Sequence, residues 1–312
     1  MSEDPSHVIV REIERVCAIA KAEIGLCATH IETGRRIAIN EEVRFPMAST
    51  YKVPIAIGLL NLIERGALGL NDLVEITERD LSPGSGVIQE LFLVPGIRLS
   101  VRNLLDLALR ASDNIASDIF LRLAGGPAEV TAFIRQQGVA DLRVDRSTKR
   151  ILCDYYGIAD APSDEDWSLD QYRKLARATT DDSRAAAAEK YLVDPRDSCT
   201  PSAMSTLLVL LFRGQVLGKE QTDLLLSIMR NCRTGPLRLK GMLPAGTEVA
   251  HKTGTIPRVV NDVGIITLPD DAGSIAIAAF AKGKGHAPEP YEKAIADATR
   301  YVFDYFMFVV GE

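Results

Sequence analysis

The chain has 312 residues, 46% hydrophobic and 25% charged, enough apolar material to bury the core of one large domain or two interleaved ones. Its 36 basic and 42 acidic residues are mixed along the chain and leave a net charge of −6, which offers nothing to a phosphate backbone or an anionic membrane surface. No run approaches the ~18 apolar residues of a membrane span, and the five scattered cysteines and four scattered histidines lack the spacing of a disulfide framework or a zinc site.

In chain order, Val8, Val10, Ile13, Val16, Cys17 and Ala20 fall near helical spacing and predict a first helix over 6–21. Its acidic start lacks the basic, apolar and small-residue zones of a secretory signal. The sequence as it stands therefore predicts a cytoplasmic protein, or a periplasmic or secreted one if a leader has been removed. EIGLCATHIE and RRIAIN follow as strands around a Thr33-Gly34 turn. Helical patterns then cover 51–65, 101–124, 128–137 and 202–212, whereas 141–200 has weak periodicity. EVAHKT, VVNDVGIITL and GSIAIAAFAKG read as successive strands, and 289–309 as a closing helix. Strands at both ends around a helical middle predict an α+β layer from 1–58 and 214–312, with an all-helical insertion, 59–213, containing an atypical loop region at 141–200. The cleft between the two parts is the expected place for a site.

Three short motifs carry chemistry. Ser49-Thr50-Tyr51-Lys52 opens a helix, with serine and lysine one turn apart on one face. A lysine whose pKa is depressed by burial or nearby positive charge can take a serine's proton and make it a nucleophile. The plainer alternative is that Ser49 caps the helix and Lys52 is solvated, and about one Ser-x-x-Lys is expected by chance in a chain of this length. Ser112-Asp113-Asn114 lies between two helical patterns, either as a polar cap or as a proton relay (Ser112) with an amide-binding group (Asn114). His251-Lys252-Thr253-Gly254-Thr255 is strand-like. It reads either as an edge strand with an outward lysine or as a surface where a substrate backbone approaches Gly254 while Lys252 and the threonines bind an anion.

Ser-x-x-Lys, Ser-Asp-Asn and Lys-Thr-Gly in this order resemble the class A β-lactamases and penicillin-binding serine hydrolases. The likeness runs from about Ala18 to the C-terminus, including PGSGVIQ and DPRDSCTP, and is weakest between Ser147 and Val193. It implies an antiparallel sheet flanked by helices, with an inserted all-helical domain. It also implies an acyl-enzyme on Ser49, with Lys52 as basic partner, Ser112 as shuttle to the leaving nitrogen and Lys252 as electrostatic support. The backbone N–H groups of Ser49 and Thr255 would form the oxyanion hole; Asn114 would bind a substrate amide, and Thr253 and Thr255 its carboxylate. No metal or cofactor is implied, and the expected partner is a small molecule, a β-lactam or related amide or ester.

Two departures from that pattern matter. In the family, an Asp-Arg pair opens a loop whose glutamate activates water for deacylation. Here Asp145-Arg146 stand in place, but without a gap the glutamate's position falls on Thr148 and a neighbouring asparagine's on Leu152. Neither is a base near neutral pH. Asp154, Asp160, Asp164, Glu165 and Asp166 are candidate substitutes, although acidic residues in such a stretch more often only solvate the surface. The arginine that many relatives carry beyond Lys-Thr-Gly is replaced by Asn261 or Asp262, and Arg258 is near enough in sequence to compensate. The leading expectation is a β-lactam-opening serine hydrolase with slow deacylation. The alternatives are an esterase, amidase or D-amino-acid peptidase, and a covalent β-lactam-binding or sensing module.

Overall fold

The computed structural model describes residues 5–84, 86–92, 94 and 96–309; residues 1–4 and 310–312 of the expected terminal layer, and Ser85 of PGSGVIQ, lie outside them. Five strands, β1 (Ala22–His30), β2 (Arg36–Ile39), β3 (Val249–Ile256), β4 (Val259–Thr267) and β5 (Ser274–Gly283), form an antiparallel sheet in the order β2-β1-β5-β4-β3. The two chain ends thus meet where β1 pairs along its whole length with β5. The period of two in a strand sends alternate side chains to opposite faces. Ile24, Leu26, Ile275, Ile277 and Ala279 pack on the terminal helices Pro5–Ile19 and Glu289–Val309, through Ile13, Ile295, Val302 and Phe306. Ala276, Ala278 and Phe280 face the other way, into a core shared with Met204 and Leu208 of the helix Pro201–Phe212 and with Ile55 and Leu59 of the helix Lys52–Glu64.

The expected helix over 101–124 is broken in two, Val101–Arg110 and Asn114–Leu123. Ser112 between them takes a left-handed backbone (φ 59°), which a continuous helix cannot hold. The weakly periodic stretch contains three helices, Thr148–Tyr155, Leu169–Ala178 and Asp181–Leu192. A small core of Cys153, Ile158, Trp167 and Tyr172 joins the first two. Trp167 ties this unit to the segment before PGSGVIQ by donating Nε1–H to the Leu81 carbonyl (2.6 Å). Arg146 closes the loop at its base, its guanidinium bonded to Asp197 (2.5 Å) and Asp194 (3.2 Å). Among the described residues no helix is long and apolar enough to cross a membrane.

Candidate active site

Ser49 lies in a 3-10 turn, Ala48–Tyr51, that runs directly into the helix beginning at Lys52. The helix's N-cap position is Tyr51, so Ser49 is not its cap. Ala48, immediately before the serine, is held at φ 45°, a left-handed conformation costing about 1–3 kcal/mol that surrounding structure must over-determine. Two neighbours supply that constraint. Asn261 on β4 donates its amide to the carbonyls of Pro46 and Met47 (both 2.9 Å). Gly254 on β3 lies so close that a Cβ there would come within 2.5 Å of the Met47 carbonyl oxygen. The glycine of Lys-Thr-Gly is therefore needed for the strand to press against the serine turn.

Lys52 is fully buried, not solvated. Its amine donates to the Ser112 carbonyl (2.7 Å), Ser112 Oγ (3.2 Å), the Asp113 carbonyl (3.4 Å) and Asn114 Oδ1 (3.1 Å). The break between the two helices presents all four acceptors to it. Asp113 does act as a cap, accepting from Ala116 N (2.9 Å) and Ile88 N (2.8 Å), so the Ser-Asp-Asn turn serves structure and site together. Lys252, on an edge strand yet also fully buried, donates to Ser112 Oγ from the opposite side (2.9 Å) and to the Thr253 carbonyl (2.8 Å). Burial, and then the charge of Lys252, hold the Lys52 pKa well below the ordinary lysine value. Burial, with Arg238 nearby, lowers Lys252 to about 8.

Ser49 is half-buried and Thr255 exposed, and both line a cleft of about 190 Å³ with Gly84, Asn114, Thr148, Leu152 and Tyr156. Among the described residues no carboxylate lines this cleft. The position expected for the loop glutamate is Thr148, whose hydroxyl meets the Tyr51 hydroxyl at 2.6 Å. Behind it Asp118, absent from the sequence reading, accepts the backbone N–H groups of Thr148 (2.6 Å) and Lys149 (3.2 Å). Burial raises Asp118 to about 6. Of the candidate substitutes, Asp154 is bound to Arg146 and Arg196, and Asp160, Asp164, Glu165 and Asp166 are exposed.

Among the described residues Arg258 makes no hydrogen bond to Thr255. It sits in the tight β3–β4 turn at φ 73°, and its guanidinium is taken by the Gly283 carbonyl (2.8 Å) and Glu189 (2.8 Å), beside a separate cavity of about 830 Å³. The residue that reaches Thr255 is Arg238, which the sequence reading missed. Buried behind β3, it donates to Thr255 Oγ1 (2.8 Å) and to the carbonyls of Gly254 (3.1 Å) and Asn261 (2.9 Å), with Glu292 of the last helix at 3.1 Å.

A cleft serine three residues before a buried lysine, beside an antiparallel sheet and with a second buried lysine across a shared serine hydroxyl, is the arrangement of the penicillin-recognising serine hydrolases. Residues 9–306 match the model of the β-lactamase enzyme family, and the chain belongs to that family. It is 32% identical over 305 residues to β-lactamase VEB-1 of Pseudomonas aeruginosa, covering 95% of this chain and 89% of the relative. It is 27% identical to the extended-spectrum β-lactamase PER-1 of the same organism, over 96% of this chain and 88% of the relative. The crystal structure of a β-lactamase from Chitinophaga pinensis superposes with a TM-score of 0.79 at 30% identity, covering 95% of this chain and 98% of that one.

Proposed function

We propose that this β-lactamase-family serine hydrolase captures β-lactams as an acyl-enzyme on Ser49 and releases them slowly. The convergence of Lys52 and Lys252 on Ser112 Oγ carries the reading. Neutral Lys52 takes the Ser49 proton as Oγ attacks the lactam carbonyl. Ser112, held between the two amines, passes a proton to the departing ring nitrogen, and the charge of Lys252 favours that transfer. The backbone N–H groups of Ser49 and Thr255 are oriented on the carbonyl oxygen, the role in which loss of one donor typically costs ~100- to 1,000-fold in rate. Asn114 contacts the acyl side chain's amide, and Thr253, Gly254 and Thr255 line the path of the substrate carboxylate. A glutamate that would activate the second water is replaced by Thr148, so acylation outruns deacylation.

The test is intact-protein mass over time with excess benzylpenicillin, beside a Ser49→Ala control and an assay of opened product. A lasting adduct that requires Ser49, with little product, is the expected result. Rapid product formation with only a transient adduct would mean that another group activates the water. Neither adduct nor product would remove β-lactams from the substrate class and turn the search to esters and D-configured peptides.

In this arrangement Arg238, and not Arg258, supplies positive charge for the carboxylate. A hydrogen bond to a charged group contributes about 1.5–3 kcal/mol, or roughly 10- to 150-fold. Arg238→Gln is expected to raise the benzylpenicillin concentration giving half-maximal acylation by about that factor, whereas Arg258→Gln should change it less than about threefold. Equal effects of the two variants would rule out the assignment.

A further inference from the structure

Beside the carboxylate end of the cleft lies a second constellation that the reaction above does not use. Cys232 follows the helix Lys219–Arg230 and is partly exposed, whereas Cys17, Cys27, Cys153 and Cys199 are buried. Its Sγ lies 3.3 Å from Thr234 Oγ1, which pairs with Thr253 Oγ1 at 2.5 Å. His251, fully buried on β3, places Nδ1 2.9 Å from both carboxylate oxygens of Asp262 on β4. Strand alternation puts His251 and Thr253 on one face of β3, where Thr253 pairs in register with Asp262, so Cys232, joined to Thr253 through Thr234, lies on the same face as the imidazole. His251 Nε2 is buried without a hydrogen-bond partner among the described residues. Thiol, imidazole and carboxylate are therefore gathered on one face of β3, the three groups that together activate a cysteine nucleophile.

We propose that Cys232 is a thiol-modification site that takes small disulfides by exchange, with His251 and Asp262 holding the sulfur as a thiolate. The thiolate attacks one sulfur of the incoming disulfide and the disulfide's S–S bond breaks. A mixed disulfide forms on Cys232, and the other half leaves as a thiolate that solvent protonates. The disulfide is the only oxidant required.

The charges that face the sulfur support this. Burial opposes a thiolate, but His251 and then Lys252 outweigh it and draw Cys232 down to about 6. Burial likewise opposes the imidazolium, but Asp262 and Cys232 raise His251 to about 9. Between those values the pair is an ion pair. Burial pushes Cys17 and Cys153 up to about 12 and raises Cys27 and Cys199, so those thiols stay protonated and inert.

The experiment treats the folded full chain with bis(2-hydroxyethyl) disulfide from pH 5 to 9, reading adducts by intact mass and locating them by peptide mapping. One adduct per chain, on Cys232, is expected, at a rate that climbs with a midpoint near 6 and levels off above about pH 7. Cys232→Ser should abolish it. His251→Gln should move the midpoint back to the ordinary thiol range of about 8.5. If that variant does not fold, the profile of the unaltered protein decides alone. A rate still climbing through pH 8, labelling of another cysteine first, or no adduct without denaturant would each overturn the proposal. Adducts are read by mass without any β-lactam, so the outcome is independent of the substrate assigned above.

Discussion

Replacing Thr148 with glutamate is expected to shorten the life of the Ser49 acyl-enzyme by about 100-fold or more, the usual contribution of a positioned general base. Thr148 is the first residue of the helix Thr148–Tyr155 and lines the cleft with Ser49. A carboxylate there is favoured by the helix N-terminus, whose unpaired N–H groups carry partial positive charge. Asp118 already accepts two of those N–H groups and is itself raised to about 6 by burial. A second carboxylate nearby will be harder to ionise, so the gain should be larger at pH 8 than at pH 5. The longer side chain must also displace the Thr148–Tyr51 hydroxyl pair, which Tyr51→Phe in the same chain would relieve. Thr148→Gln is the control, since it matches the size and hydrogen bonding but cannot take a proton. Adduct decay followed by mass after removal of excess benzylpenicillin separates the cases. Similar decay in all three proteins would mean that a missing carboxylate at this position does not limit release.

The residues that were legible in the sequence act through neighbours close in the chain. Ser49 and Lys52 are one helical turn apart, Ser112 and Asn114 flank a single capping aspartate, and Lys252 to Thr255 lie along one strand. Their spacing is set by backbone geometry, which a sequence displays directly. Arg238 was not legible, because the chain between it and Thr255 has no periodic pattern that says which side of β3 it packs on. Arg258 is the complementary case. It is three residues from Thr255, but the turn at Pro257-Arg258 carries its side chain towards Glu189. Asp118 has the look of any polar helix residue, and only the packing of Thr148–Tyr155 on the helix Asn114–Leu123 buries it. Two of the three helices of 141–200 were hidden because they bury so little: of Leu169–Ala178 only Tyr172 is buried, and Asp181–Leu192 is an alanine-rich run with buried residues only near its end. An apolar stripe that narrow leaves little helical period to read.

Exchange of Lys52 for methionine is expected to slow Ser49 acylation by about 100- to 10,000-fold, and to change how stability responds to pH. Burial first, and then the charge of Lys252, lower the folded-state pKa of Lys52. In the unfolded chain a lysine keeps its proton up to about 10.4. Between the lowered folded value and that figure the unfolded state binds more protons, so Lys52 makes the protein's stability rise with pH across this window. Below the window the burden of burying the lysine is largest. Methionine has no such dependence, although it leaves the acceptors on Ser112 and Asn114 without their donor. The melting temperature of Lys52→Met, measured relative to the unaltered protein, should therefore be most favourable at low pH and fall steadily towards pH 10. A difference constant with pH would mean that Lys52 is not held below its ordinary value. Lys252→Met probes the same coupling from the other side. Removing that neighbouring charge lets Lys52 hold its proton to higher pH, so the acid limb of Ser49 acylation should move upward. An unmoved limb, with only a lower plateau, would leave Lys252 a part in transferring the proton but none in setting the base.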